Sequence, residues 1–453
     1  MGAMNILLIS PNTLQVPYPV YPIGLDYVAA SVSAAHEVRI VDMNVETHES
    51  LGRIIKEFRP DIIGVSCRNI DNTEAGKPLF CVNEYRDLIH WLRECSQAVI
   101  VCGGSGFTIL PGPVFEKLGA DYGIIGEGER FGLFVEALNR GENPTDIPGV
   151  ISDPETAANM TPQPWNGLIQ RDFKQKNPHT AFYRDRGGMF NLQTKRGCTF
   201  KCIYCPYPHI EGHRHRLSPP AAVAETAISL QKAGAKYLFI TDSAFNSDIE
   251  HSLAVAEAFR KAGLTIPWGG FFAPVKPPEN YFKIMKDAGL THVEFGTESL
   301  NDSMLKSYRK PFRSADVFLA HQEAVTANLN VAHYLLLGGP GESCQTINNC
   351  LDNIEKLGRT VIFFFLGVRV YPHTKLYDIA LAEGRISRGM DLLEPFFYEA
   401  ASINNDKIND LVKQRAAGRT NWIIGSGDPA TLNVVSRMHA KGYVGPLWEY
   451  LIS

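Results

Sequence analysis

Short, nearly unbroken apolar runs alternate with amphipathic stretches along the first third of the chain. The runs Asn5–Ser10, Glu37–Asp42, Asp61–Ser66, Ala98–Cys102 and Tyr122–Ile125 have strand length and are rich in β-branched residues. Between them, Leu51–Phe58 and Glu84–Cys95 carry apolar residues at helical spacing. Strands that read apolar on both faces belong in a buried parallel sheet. The pattern therefore predicts a doubly wound Rossmann-like domain over 1–145, with its ligand surface at the carboxyl ends of the strands.

Residues 146–185 break this rhythm with Pro148, Pro154, Pro162, Pro164 and Pro178, and read as a linker with a small hairpin. A second alternation then runs six times. Its strands are Met189–Thr194, Tyr237–Thr241, Ile266–Phe272, His292–Gly296, Val331–Leu337 and Thr360–Val368. Its helices include Pro220–Ala233, Ile249–Ala262, Glu279–Ala288, Ala315–Ala327 and Cys344–Leu357. Six consecutive units over 186–385 predict an open (β/α)6 barrel whose chemistry lies at the carboxyl ends of its strands. The remainder, 386–453, looks short of strands and is predicted to be a mostly helical cap.

Composition changes this picture little. A 453-residue chain that is 45% hydrophobic can fill more than one core, and a formal charge of −4 offers no basic patch for nucleic acid or an anionic membrane. No apolar run approaches the roughly 20 residues that cross a bilayer. The start, MGAMNILLIS, reads directly into a strand rather than a signal peptide, with Met1-Gly2-Ala3 standing as an addition ahead of a native Met4. Nine scattered cysteines suit reduced thiols in a cytoplasm better than a disulfide frame.

Three of the nine are clustered, in Thr194-Lys-Arg-Gly-Cys198-Thr-Phe-Lys-Cys202-Ile-Tyr-Cys205-Pro206, just after the first barrel strand. Thiolates are the ligands of iron–sulfur clusters, and three of them leave one iron of a [4Fe–4S] cluster open to a further ligand. A structural zinc site is the alternative; it would need a fourth ligand, and His209, His213 and His215 are near in sequence. Two further polar residues end barrel strands. Asp242 closes the second and Arg369 the sixth, and both are expected in the barrel mouth as catalytic candidates, although Asp242 would equally serve as a helix N-cap. Arg214 and Arg216 share the histidine-rich loop, which reads as solvated except for Arg216, a candidate for substrate contact.

The spacing of Cys198, Cys202 and Cys205, with Tyr204 before the third cysteine, resembles the signature of radical S-adenosylmethionine enzymes. The resemblance extends over nearly the whole chain, to members with an N-terminal cobalamin-binding domain that include the class B radical methyltransferases. It implies a [4Fe–4S] cluster on the three cysteines and S-adenosylmethionine on its open iron, with Tyr204 nearby. Glu298 and Ser299, in Glu294-Phe-Gly-Thr-Glu298-Ser299, resemble the segment that contacts the ribose or amino group of that cofactor. Gly338, Gly339 and Pro340 match the glycine-rich turn beside its adenine and methionine parts. For cobalamin the resemblance points to Arg68, Asn69 or a water facing cobalt and to Gly103, Gly104, Ser105, Gly106, Gly126 and Glu127 along the strand ends, with Asp71 or Asn72 bonding the corrin amides.

One departure stands out: the Asp-x-His-x-x-Gly motif that supplies an axial histidine in many cobalamin proteins is absent after the first strand. The function implied is methyl transfer to an unactivated carbon of a natural-product or lipid intermediate, with an electron donor such as flavodoxin or ferredoxin. The alternative is a radical dehydratase, lyase or carbon–carbon bond-forming enzyme whose first domain binds no corrin.

Overall fold

The computed structural model describes residues 2–15, 18–76, 78–158, 160–167, 169, 171, 173, 178–427 and 429–452. The N-terminal sheet contains β1 (Asn5–Ser10), β2 (Glu37–Asp42), β3 (Ile62–Ser66), β4 (Val99–Gly103), β5 (Tyr122–Ile124) and β6 (Val150–Ile151) in the order β2-β1-β3-β4-β5-β6. The first five strands run parallel and β6 closes the edge antiparallel to β5. Strand order reverses between β1 and β3, and the crevice above such a reversal is where open α/β sheets bind ligands. The expected strands are all present, and the sheet reaches Ile151, past the expected boundary at 145.

The second sheet contains β7 (Met189–Leu192), followed by a two-residue pair, β8 (Lys195–Arg196) and β9 (Arg216–Leu217). It continues with β10 (Tyr237–Ile240), β11 (Trp268–Phe272), β12 (Leu290–Glu298), β13 (Asn330–Leu337) and β14 (Thr360–Leu366). A short antiparallel pair, β15 (Val368–Arg369) with β16 (Phe397–Tyr398), follows across the intervening helix Lys375–Ala382, and then β17 (Trp422–Ile424). The curved sheet has seven parallel strands, ordered β17-β14-β13-β12-β11-β10-β7. The six expected strands are in place, and a seventh comes from the region expected to be a helical cap. At three residues, β17 is too short for an alternation to announce it; its register on β14, from Ile362 opposite Trp422, recruits it. The helices Asn405–Ala416 and Pro429–Ala440 in that region match the expectation.

Alternation sorts the barrel side chains. Leu238, Ile240, Trp268, Phe272, Val293, Phe295 and Val331 pack outward with helix residues such as Val255, Phe259 and Met285 in one continuous core. Trp268 is fully buried and its indole N–H donates to Ala288 O at 2.8 Å, so it joins apolar burial worth about 3 kcal/mol to a satisfied polar end. The helix Ile249–Ala262 illustrates local encoding: Asp248 caps it by accepting from His251 N at 3.0 Å, and Gly263 ends it at φ +73°.

The two sheets meet at their carboxyl strand ends. After β3, Asp71 accepts from Arg369 Nε at 3.0 Å; after β5, Glu127 and Glu129 bind Arg196 at 2.6 and 2.7 Å. Arg171 joins Asp26 at 2.8 Å and donates to Asn191 O at 2.7 Å. All these pairs are buried. No helix among the described residues is long and apolar enough to cross a membrane.

Candidate active site between the strand ends

The cysteine loop, 197–215, is pinched at its base by β8 and β9. Gly197 sits at φ +83°, where a Cβ would overlap Arg214 O, so glycine is required for the loop to close. Cys198 N donates to Gly212 O at 3.1 Å, Ile203 N to Tyr308 O at 3.2 Å and Leu376 N to Ile203 O at 2.8 Å. These bonds tie the loop to the barrel mouth. Burial pushes the Cys198 thiol up and the Cys205 thiol up to about 12, so both are held in a largely desolvated setting.

Among the described residues no three His, Cys, Asp or Glu side chains converge as the ligands of a single metal ion do. A closed zinc site is therefore absent from them. Neighbouring histidines are engaged elsewhere: His209 stacks on His373 with centroids 4.1 Å apart, and His215 contacts Ser247 Oγ at 3.1 Å. Thiolates that bind different irons of one cluster stand a cluster's width apart, so three thiols on one tethered loop with no fourth ligand fit a [4Fe–4S] cluster with an open iron.

Beside this loop, Glu298 accepts from Tyr204 Oη at 2.7 Å and Lys310 Nζ at 3.2 Å, with Lys310 a buried cation. Burial alone would lower the Lys310 pKa, but Glu298 and the thiols of Cys202 and Cys205 raise it on balance. Glu298 is a non-glycine residue at φ +61°, placed there by a bulge between Gly296 and Glu298 in the pairing of β12 with β13. Ser299, by contrast, is buried, with its hydroxyl 3.6 Å from Cys350 Sγ and accepting from Asn301 N, away from the mouth. The turn after β13 is held by Glu342, which accepts from Gly338 N at 3.2 Å, and by Tyr308, whose hydroxyl accepts from Gly339 N at 3.2 Å. Gly338 has φ +105°, and Pro340 O accepts from Ser307 Oγ at 2.6 Å.

The two expected catalytic residues do not line an open mouth. Asp242 is 2% exposed and bound by Thr194 N at 2.8 Å, Thr194 Oγ1 at 2.5 Å and Lys195 Nζ at 2.9 Å. Arg369 is 5% exposed and donates to Asp71, Val370 O at 2.8 Å and Leu392 O at 2.6 Å. In the structure Asp242 holds the base of the cysteine loop and Arg369 the contact between the two sheets, engagements that strand-end position alone does not reveal. Asp71 is likewise taken by Arg369 rather than free for a corrin. Glu127 is bound by Arg196 and Arg216, and Arg216 also donates to Trp165 O and Glu211 O.

Along the first sheet, Gly104 and Gly106 are small because the β3 loop crosses them: an added Cβ would lie 2.9 Å from Cys67 O at either position and 2.9 Å from Arg68 O at Gly106. Ser105 Oγ donates to Arg68 O at 2.9 Å, and Gly126 N donates to Thr108 Oγ1 at 2.9 Å. Gly103 stands 3.4 Å from Ile124 O by the same measure. These residues shape the backbone under Arg68. Arg68 itself forms no ion pair among the described residues; Nε donates to Asn69 Oδ1 at 3.1 Å, and burial lowers its pKa. A desolvated guanidinium that makes no direct ion pair among the described residues, with the Asp42 carboxylate acting on it only at longer range, stands just past β3 at the strand-order reversal and is a donor suited to a large polar ligand such as a corrin.

The barrel interior was not foreseen in the sequence. Phe239, Phe271, Tyr334, Phe363 and Phe365 occupy the inward positions, with Tyr334 stacked on Phe363 at 4.8 Å and edge-on to Phe271 at 6.0 Å. Phe271 is 38% exposed although it lies in a central strand, so it borders open space. The floor is the C-terminal segment: Trp448 Nε1 donates to Glu294 at 3.0 Å, and Tyr334 Oη donates to the same carboxylate at 2.8 Å. Burial raises the Glu294 pKa.

Comparison with known proteins agrees with this geometry. Residues 9–132 match the B12 binding domain and residues 192–354 the radical SAM superfamily. The chain is 25% identical over 451 residues to tryptophan 2-C-methyltransferase of Streptomyces laurentii, covering 82% of this chain and 74% of that protein. It is 23% identical over 435 residues to cytidylyl-2-hydroxyethylphosphonate methyltransferase of Streptomyces wedmorensis, covering 80% and 79%. The fold matches the radical S-adenosylmethionine methyltransferase TsrM from Kitasatospora setae, solved with cobalamin and a [4Fe-4S] cluster, at a TM-score of 0.85 with 20% identity over 99% of this chain and 97% of that one. With a B12 binding domain docked by buried ion pairs onto a radical SAM barrel, the chain belongs to the radical S-adenosylmethionine enzymes that carry an N-terminal cobalamin-binding domain.

Proposed function

We propose that this protein is a cobalamin-dependent radical S-adenosylmethionine methyltransferase that methylates a carbon of a small molecule with a flat apolar face, such as a natural-product or lipid intermediate. The carrying observation is the docking of the two strand-end surfaces, which makes the Arg68 crevice and the Cys198–Cys205 loop border one interdomain space. The relatives named as methyltransferases support the reaction class.

Cys198, Cys202 and Cys205 would hold the cluster, Glu298 and the Gly338–Pro340 turn the S-adenosylmethionine, and Arg68 with Asn69 the side of the corrin facing the first sheet. Bound together, these groups supply a transferable methyl group and a hydrogen-abstracting radical. The chain's own residues position and shield. The aromatic wall of Phe271, Tyr334 and Phe365 offers stacking surface and excludes water. The Lys310 cation faces both Glu298 and the thiolates, fixing the carboxylate's direction. A donor such as flavodoxin or ferredoxin would deliver the electron.

The test is anaerobic preparation with a cobalamin supply, followed by corrin quantitation and transfer of labelled methyl from S-adenosylmethionine to products. About one cobalamin per chain and labelled product are expected. Substrate turnover by protein that takes up no cobalamin would overturn the proposal in favour of a cobalamin-free lyase or dehydratase.

A further inference from the structure

Behind Glu298, on the helix side of the sheet, runs a buried chain of hydrogen bonds. Thr297, the residue inside the β12 bulge and fully buried, has its hydroxyl 2.7 Å from His333 Nδ1. His333 Nε2 lies 3.0 Å from His321 Nδ1, and His321 Nε2 lies 3.0 Å from Gly358 O. The chain thus links three elements: β12, β13 and the helix Ser314–Thr326, ending on the loop before β14. Phe295 packs against His333 with centroids 5.3 Å apart and closes one side.

The protons in this chain have one consistent arrangement. A carbonyl only accepts, so His321 Nε2 carries the proton and donates to Gly358 O. Burial holds the His321 pKa down to about 4 and that of His333 well below its usual value, so both rings are neutral. His321 Nδ1 is then an acceptor, His333 Nε2 must donate to it, and His333 Nδ1 must accept. Thr297 is left as the donor, and this bond fixes its rotamer.

That bond falls where the backbone is strained. A glutamate at φ +61° occupies a sparsely populated backbone region and persists only if its surroundings over-determine it. Glu298 follows Thr297 directly, so the direction of its carboxylate depends on how the bulge is held. We propose that Thr297, His333 and His321 are positioning residues that lock the β12 bulge and so present Glu298 to S-adenosylmethionine. The inference rests on the reading of Glu298 as a cofactor contact.

The experiment compares Thr297→Val, which keeps shape and removes the donor, with Thr297→Ser, which keeps the hydroxyl. Each variant, carrying its cluster, is measured for S-adenosylmethionine affinity by equilibrium dialysis, for the shift in the reduced cluster's EPR signal on cofactor addition, and for iron content. Thr297→Val is expected to weaken affinity by about tenfold and blunt the EPR shift with iron unchanged, while Thr297→Ser stays within about twofold. Should Thr297→Val not fold, His321→Phe tests the far end, on a helix remote from the cofactor, with the same expectation.

Normal affinity and a full EPR shift in these variants, with Glu298→Ala still impaired, would overturn the positioning role alone. Normal affinity in Glu298→Ala as well would remove Glu298 from the cofactor site and the proposed lock with it.

Discussion

The two strand-end surfaces use the same residue types for opposite purposes. On the Rossmann side, Asp71, Glu127 and Glu129 are each bound by an arginine of the barrel half, and the glycines of 103–106 serve the close crossing of the β3 loop. Arg68, by contrast, makes no direct ion pair among the described residues. On the barrel side, Asp242 and Arg369 are saturated, while Glu298 stands at a strained backbone position with a cation and a phenol aimed at it. Position at a strand end is thus shared by scaffold and site. What separates them is whether the hydrogen-bonding capacity is already committed inside the protein.

The largest effect expected from this contrast is at the cysteine loop. Cys202→Ala should remove the cluster and abolish reductive cleavage of S-adenosylmethionine, a loss of at least about a hundredfold, measured as iron content and 5′-deoxyadenosine formed. Persistent cleavage, or zinc in place of iron, would break the assignment.

Next in size is the scaffold side. Glu127→Ala leaves Arg196 and Arg216 short of their shared carboxylate in a buried interface, and should destabilise the fold by about 3–5 kcal/mol in a denaturant melt. Arg68→Ala should do the reverse. It should leave the melting transition within about 1 kcal/mol, because no buried partner is orphaned, yet lower cobalamin retention by about tenfold. Equal destabilisation by both variants would erase the distinction between scaffold and site.

A smaller, graded effect comes from buried histidines. His179 and His321 have pKa values lowered by burial to about 4, against about 6.5 in the unfolded chain. Between these values the unfolded state binds more protons, so stability rises with pH across the window and is lost as pH falls from 6.5 toward 4. Each group contributes on the order of 1 kcal/mol per pH unit. Denaturant melts at pH 7, 6 and 5 should show that slope, and His321→Phe should reduce it.

The alternating apolar runs and the spacing of Cys198, Cys202 and Cys205 were sufficient, by themselves, to specify two α/β units and a three-thiol cluster loop. Both signals are local: side-chain period reports burial, and one loop carries all three ligands. β17 escaped because three residues hold no periodicity, and its strand state comes from pairing with β14. Lys310, Tyr308 and Thr297 carry no motif; the turn after the helix Asp302–Ser307 brings Lys310 to Glu298 and Tyr308 to the Gly338–Pro340 turn, and β13 brings His333 to Thr297. Asp242, Arg369 and Glu127 were visible as strand-end polar residues, but their oppositely charged partners lie 47 or more residues away in sequence, and up to 298 away for Arg369 and Asp71. A charge's meaning depends on whether an opposite charge is buried against it, and that is decided by how the two sheets dock, which no short stretch of sequence encodes.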